Sequence, residues 1–382
     1  MEIMVNFALN NNQKNLIKNI RLLGPQLEQM ELEIDRSRSE VFDYSLVNEL
    51  SKVNLLNPMV PLEYGGRGLD YFDYALLMEE IGAICPGLAA VMTFNCHFIS
   101  ILDSVGTDEQ KAKYLPLFTQ KQPKLAAMAL SEKNAGSDAG NMSTLAVMEN
   151  DHYIFSGVKE YVVSGTIADY LVCFATLDPS RARSKMIALI VPGNASGIRE
   201  GQLRKTMGIR YAHCSELIFE NVSVPAANLL GAEGDGYMII TQAIDRDKVL
   251  TGSIGVGIAR AAFDIALTFA KERKQFGRSI YDNQAIAFEF ARMAAQIEAA
   301  RMVVWKACWL IDNNEDFTVA SSIAKIAGTT TAEEVVGKAM EIVGGRAYME
   351  GHPLEKLYRD VKIFSNLEGT NHIQNAIISS LL

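Results

Sequence analysis

Three stretches late in the chain carry apolar residues at intervals of three and four. From Val249 to Lys271, the residues Ile254, Ile258, Ala261, Ile265 and Phe269 fall on one stripe. Ala285 to Leu310 and Thr318 to Val343 are further runs of helical length, the first rich in Ala, Met and Arg. This spacing predicts long helices, each with an apolar side that needs a partner. Upstream the period changes. Leu171 to Ala175, Met186 to Val191 and Ser215 to Glu220 are short runs of β-forming residues. Asn150-Asp151 suits a hairpin turn between two such segments, and Pro179, Pro192, Gly193, Gly197 and Pro225 punctuate the region. The first third returns to helical spacing. Ala75 to Ile81 and Phe98 to Leu102 each fit a helix with one apolar face, Pro61, Gly65, Gly66 and Gly68 mark a loop, and a break falls near Gln122-Pro123. An α+β multidomain fold is therefore expected: a helical domain over 1–124, a β domain over 125–235 and a second helical domain over 236–382.

A chain of 382 residues suits two or three domains. The net charge of −9 argues against a nucleic-acid partner, which needs a basic face. No apolar run is expected to span a membrane. Met1 to Ile20 lacks both a signal-peptide core and the Arg-rich character of a transit peptide. A cytoplasmic protein is expected, or a matured organellar one. The five cysteines are odd in number and scattered without a CxxC, so they read as buried thiols. The five histidines show no ligand spacing, and no metal site is expected.

Gly255-Val256-Gly257-Ile258-Ala259-Arg260 lacks the third glycine of a dinucleotide fingerprint and does not follow a strand. Gly252, Gly255 and Gly257 read instead as small residues that let helices approach. A Rossmann NAD enzyme is disfavoured. Met128 to Asp138 is more specific: an apolar stretch runs into a loop with two hydroxyls and a glycine, groups suited to a hydrogen-bonding cofactor.

That loop, Ser131-Glu132 with Gly136-Ser137-Asp138, resembles the flavin loop of the acyl-CoA dehydrogenases. The resemblance continues in order through Lys159 to Gly165, Lys205 to Arg210, Glu272-Arg273-Lys274-Gln275-Phe276-Gly277 with Gln284-Ala285-Ile286, Ile342-Val343-Gly344-Gly345 and Glu368 to Gln374, about 240 residues in all. It implies an N-terminal helical domain, a β-barrel-like middle domain and a C-terminal four-helix bundle, with FAD bound without a covalent bond. The implied reaction is α,β-dehydrogenation of an acyl thioester, carried by CoA or a carrier protein, with electrons passed to an electron-transfer flavoprotein.

The chemistry gives the residues their roles. An α-hydrogen beside a thioester is weakly acidic and needs a positioned carboxylate. The enolate oxygen needs hydrogen-bond donors. By resemblance the base is Glu368, whose backbone N–H also holds the thioester carbonyl. Met128, Leu130, Ser131, Gly136, Ser137, Tyr161, Val162, Val163, Thr370 and His372 are implied to contact FAD, with Tyr161, Val162 and Val163 on the isoalloxazine. Arg273, Phe276, Gln284, Glu341, Gly344 and Gly345 are implied to reach FAD, Arg273, Gln284 and Glu341 to Gly345 that of a neighbouring subunit, which makes a homotetramer the expected assembly. Ser137, Asp245, Lys248 and Gly369 are implied substrate contacts.

Several positions depart from the family pattern. Tyr161 replaces a common Trp, Val163 a common Thr or Ser near flavin N5, Leu367 a common aromatic, and Glu341 a common Gln. Lys248 replaces Arg and loses its planar fork. Asp247 stands where other branches keep a catalytic Glu, so it is an alternative base; beside Lys248, it reads as one half of a structural ion pair. Two alternatives stay open: a flavin oxidase or monooxygenase on this fold, and a catalytically silent binding protein.

Overall fold

The computed structural model describes residues 8–122 and 124–382. The expected break at Gln122-Pro123 thus falls partly outside the described residues, as do the first seven residues. Five helices come first: α1 (Asn11–Ser37), α2 (Ser45–Lys52), α3 (Tyr71–Ile84), α4 (Pro86–Val105) and α5 (Asp108–Tyr114). The expected single apolar faces of α3 and α4 are not what the fold uses, because both helices are buried around most of their circumference. Glu79 and Glu80 of α3 are both interior and paired. Arg301 Nη2 lies 3.0 Å from Glu79 Oε1, and Arg260 Nη2 lies 2.8 Å from Glu80 Oε2. Buried carboxylates are tolerated only with such partners, and the partners come from other helices.

By length and composition α4 and α6 (Gly236–Glu272) are long and apolar enough to cross a membrane. Their most apolar windows are 78% and 56% buried inside the fold, respectively, which is how core helices of a packed protein look.

The middle of the chain forms β1 (Ala126–Ala129), β2 (Leu145–Glu149), β3 (His152–Val163), β4 (Tyr170–Thr176), β5 (Met186–Pro192), β6 (Ile198–Arg204), β7 (Cys214–Pro225) and β8 (Leu229–Leu230). The order is β6-β7-β3-β2-β4-β5-β8, with β1 paired to β4. The path has two ends, β6 and β8, so the barrel-like sheet does not close. The hairpin at Asn150-Asp151 forms as expected: Glu149 pairs with His152, and Asn150 takes φ 54°.

After α6 come a small hairpin, β9 (Lys274–Gln275) and β10 (Arg278–Ser279), then α7 (Gln284–Asp312), α8 (Thr318–Val343), α9 (Pro353–Phe364) and α10 (Asn371–Leu381). The glycines of α6 serve packing. A Cβ on Gly252 would stand 2.7 Å from the Ala324 carbonyl oxygen, on Gly255 2.5 Å from that of Gly328, and on Gly257 2.1 Å from that of Glu79. Backbone therefore meets backbone where α6 crosses α8 and α3. These close crossings bring α3, α4, α6 and α8 together around one buried polar cluster.

Candidate active site

Between α9 and α10 the chain turns through Glu368 (φ 54°) and Gly369 (φ 81°), both left-handed. Glutamate is strained there and must be held from outside. Lys325 on α8 holds it: Nζ donates to the carbonyls of Ser365 and Gly369 at 2.9 Å each and to Asn371 Oδ1 at 2.8 Å. Gln374 Nε2 donates to the carbonyls of Glu368 at 3.1 Å and Gly369 at 3.0 Å. Burial pulls Lys325 down to about 8, against the attraction of Glu368. None of the turn's hydrogen bonds uses the Glu368 N–H as donor, so that group is free for a ligand oxygen.

The Glu368 side chain is buried, and its Oε2 has no partner. Burial pushes its carboxyl up to about 7; His97 pulls it down, Asp247 pushes it up, and the Thr251 hydroxyl pulls it down. Asp247, from α6, is wholly buried and also raised by burial, with His97 and the Tyr71 hydroxyl opposing. Tyr71 donates to Asp247 Oδ1 at 2.9 Å. The two carboxylates meet at one imidazole: His97 Nε2 lies 3.6 Å from Asp247 Oδ2 and 3.7 Å from Glu368 Oε1.

The expected Asp247–Lys248 ion pair does not form. Lys248 Nζ reaches Asp245 Oδ1 at 2.5 Å and Ser322 Oγ at 3.2 Å. Successive side chains on a helix diverge by about 100°, so neighbours in sequence face different surroundings. Asp245 and Lys248 thus bond each other, and Lys248 is buried.

The Ser131 loop is anchored from below. Glu132 and Ala135 exchange backbone hydrogen bonds at 3.0 and 3.1 Å, which leaves Gly136 and Ser137 exposed and Ser131 half-buried. Glu132 turns inward, accepts from Lys159 Nζ at 2.8 Å and from the Ser143 and Thr144 N–H groups, and is held down at about 2, burial being outweighed by these partners. Lys159 Nζ also donates to the Leu130 carbonyl at 2.9 Å. At the end of β3, Tyr161 takes φ 58° beside a bulge and is 63% exposed. Val162 joins the core of the sheet, whereas Val163 joins the core of the helices. Met128 is half-buried and Leu130 buried beneath this edge.

Other implied contacts lie on the surface, apart from the buried cluster. Arg273, Gln284, Glu341, Gly344 and Gly345 are exposed. Phe276, with φ 52°, is fully exposed at the tip of the β9–β10 hairpin beside Gly277 at φ 81°. Arg346 lies 5.7 Å over the Phe269 ring, which ties the end of α8 to the end of α6. Thr370 caps α10 by accepting from the Ile373 N–H at 3.2 Å, and His372 is exposed in the first turn.

Gln374 closes the Glu368 to Gln374 motif, but its hold on the turn was not anticipated; nor were His97, Tyr71, Thr251 and Lys325. No spacing marks them: each is a lone polar residue on a helix, and only the crossing of helices gives it a partner. Among the described residues no group of three or more His, Cys, Asp and Glu could hold a metal, and all five cysteines are free thiols.

The residues present fit FAD. The first turn of α10 has no acidic residue to repel a pyrophosphate, the Ser131–Ser137 loop offers hydroxyls and N–H groups, and Tyr161 offers an exposed ring with Arg204 5.9 Å over it. A loop that would suit a flavin, and a buried carboxylate with one unpartnered oxygen, are the parts of a flavin-dependent oxidoreductase. The acyl-CoA dehydrogenase N-terminal domain matches residues 16–122, the middle domain 127–222 and the C-terminal domain 234–382. The short-chain-specific acyl-CoA dehydrogenase of Clostridium acetobutylicum is 35% identical over 349 residues, 91% of each chain. Butyryl-CoA dehydrogenase from Megasphaera elsdenii superposes with TM-score 0.95 at 32% identity, over 99% of each chain. A chain solved in work on the electron transferring flavoprotein of Acidaminococcus fermentans superposes with TM-score 0.95 at 33% identity, over 99% of this chain and 100% of that one. The protein belongs to the acyl-CoA dehydrogenase family.

Proposed function

We propose that the protein oxidises a short-chain acyl-CoA at Cα and Cβ, with Glu368 as the base. The observation that carries this is the Glu368 turn: a buried carboxylate with one free oxygen, beside its own unengaged N–H. The thioester carbonyl accepts from that N–H while the carboxylate takes the α-proton. One Cα–H bond breaks, an O–H bond forms on Glu368, and the electron pair passes into the enolate held by the N–H. Bound FAD would supply the acceptor for the hydride that leaves Cβ. With pKa near 7, the carboxyl is matched to a proton it must both take and later release. Asp247 is a poorer base: its Oδ1 is already engaged by Tyr71, and it is one methylene shorter.

Met128, Leu130, Ser131, Gly136, Tyr161, Val162, Val163, Thr370 and His372 would hold FAD from within the subunit, and Ser137 and Gly369 would sit near the thioester. Asp245 and Lys248 are engaged with each other and would shape the pocket wall. Arg273, Phe276, Gln284, Glu341, Gly344 and Gly345 would meet the FAD of a neighbour in a homotetramer; a fully exposed Phe at a hairpin tip supports a covering partner. An electron-transfer flavoprotein as acceptor, and a cytoplasmic role in fatty-acid metabolism, belong to the same proposal.

The test is anaerobic mixing of the yellow holoenzyme with butyryl-CoA and with longer acyl-CoAs. Butyryl-CoA should bleach the flavin fastest, and Glu368→Gln should keep FAD but not bleach. Bleaching in Glu368→Gln that is lost in Asp247→Asn would move the base to Asp247. Light scattering should give four subunits; a monomer that retains FAD would contradict the shared site.

A further inference from the structure

The reaction as derived uses Glu368 and leaves His97 without a task. His97 lies on α4, wholly buried, with Phe94 stacked at 5.4 Å between ring centres. Its Nδ1 is 2.9 Å from the Thr93 carbonyl. A carbonyl only accepts, so Nδ1 carries a hydrogen and Nε2 alone faces the site. Nε2, Asp247 Oδ2 and Glu368 Oε2 all lack a hydrogen-bond partner, and all three belong to this one buried cluster. A bare Nε2 lone pair aimed at two ionised carboxylates is repulsive. The arrangement is satisfied only when a proton lies among the three groups.

We propose that His97 is a positioning residue for dehydrogenation: it carries that shared proton as an imidazolium between Asp247 and Glu368, and so holds Glu368 in the ionised form that takes the α-proton. This rests on Glu368 being the base. Asp247 is then the imidazolium's second partner, which keeps the charge on the ring when Glu368 becomes protonated by substrate. The α-proton passes from Cα to Glu368, and the imidazolium–Asp247 pair remains. Without His97, burial and the like charge of Asp247 act on Glu368 with less opposition.

The other groups around the cluster are accounted for. From α3, Tyr71 donates to Asp247 Oδ1 at 2.9 Å. From α4, Cys96 Sγ stands 3.9 Å from Asp247 Oδ1. On α6, Lys248 is engaged by Asp245 at 2.5 Å, Arg246 acts on Asp247 from a distance, and Thr251 bonds Glu368. On α8, Lys325 is occupied by three acceptors of the turn. Tyr74 of α3 also faces Asp247, and Cys96 faces both carboxylates, but burial raises that hydroxyl and that thiol, so neither supplies a charge; His97 stands between both acids at 3.6 and 3.7 Å.

The experiment follows the pH dependence of flavin bleaching by butyryl-CoA in holoenzyme carrying His97→Gln or Asp247→Asn. The protonated carboxyl is followed in parallel by its infrared C=O band, assigned through its loss in Glu368→Gln. His97→Gln should move the acid limb and the infrared titration up by about one pH unit or more, roughly a tenfold slower bleaching below the limb. Asp247→Asn should move both down. A merely structural histidine would not give shifts of opposite sign. If Glu368→Gln is inactive but both limbs stay put, or move the same way, the role of His97 is overturned while the base stands. If Glu368→Gln still bleaches, the base assignment fails and this inference with it. Should His97→Gln not fold, Asp247→Asn alone decides, since an unmoved limb and infrared band there overturn the shared proton.

Discussion

Lys325 holds the carbonyl of Gly369 at 2.9 Å across forty-four positions of sequence, so the turn that carries Glu368 is braced by α8 as well as by Gln374 of its own flanking helix. The same ammonium reaches Ser365 and Asn371, and all three acceptors lie on the one turn. In the proposed role of base, Glu368 must sit within hydrogen-bond reach of an α-carbon, and this cross-brace would give it that aim.

Lys325→Met keeps most of the side-chain volume and removes the donor. Three buried acceptors then lose their cation, and stability should fall by about 2–4 kcal/mol. Stopped-flow flavin reduction should slow at least tenfold while FAD stays bound, because the turn no longer aims the base. Reduction at the normal rate would show that Gln374 suffices to hold the turn.

Glu368 bears on stability with a definite sign. Its carboxyl is raised from 4.5 to about 7, burial being the main cause. A raised group contributes stability that is fully present below the unfolded value and is lost as pH rises through about 7. Glu368→Gln removes that loss. Relative to the unaltered protein, the variant should gain about 2–3 kcal/mol between roughly pH 5 and pH 8. Urea midpoints at the two pH values measure this; an equal difference at both would mean that the carboxyl titrates normally.

Val163 tests whether the end of β3 meets the flavin, as proposed. It is buried and pairs with Cys214 across the sheet, with no hydroxyl to offer. Val163→Thr should add one hydrogen bond to reduced flavin, about 1 kcal/mol net, and raise the flavin potential. Spectroelectrochemical titration reads the change. An unchanged potential would place the stabilising donor elsewhere.

Gly257 tests the helix crossing on which the site depends. A methyl there would lie 2.1 Å from the Glu79 carbonyl oxygen, and backbone cannot step aside as a side chain can. Gly257→Ala should cost about 2–4 kcal/mol and lower the melting temperature, whereas Gly337, where a Cβ meets nothing, should tolerate alanine.

The helices of the C-terminal region were legible because their apolar period is set by backbone geometry alone. Thr318 to Val343 is α8 to the residue, and the other two runs fall inside α6 and α7. The Asn150 turn was legible for the same local reason, a residue that tolerates positive φ between two strands. The single apolar faces expected of α3 and α4 do not describe them, since both helices are buried on most sides, and in α3 Arg301 and Arg260 arrive from other helices to pair Glu79 and Glu80.

By itself, then, the sequence determined the helical–β–helical order, the packing role of Gly252, Gly255 and Gly257, and the carboxylate of the Glu368 turn, because each is written in residues close to one another along the chain. The tertiary structure alone decided that Lys248 turns to Asp245 and leaves Asp247 to Tyr71, that the sheet stays open, and that His97 stands between two acids. Those outcomes depend on which faces of α3, α4, α6 and α8 meet. The charges there are buried together by contacts between residues up to about 270 positions apart, and no local period encodes such a distance.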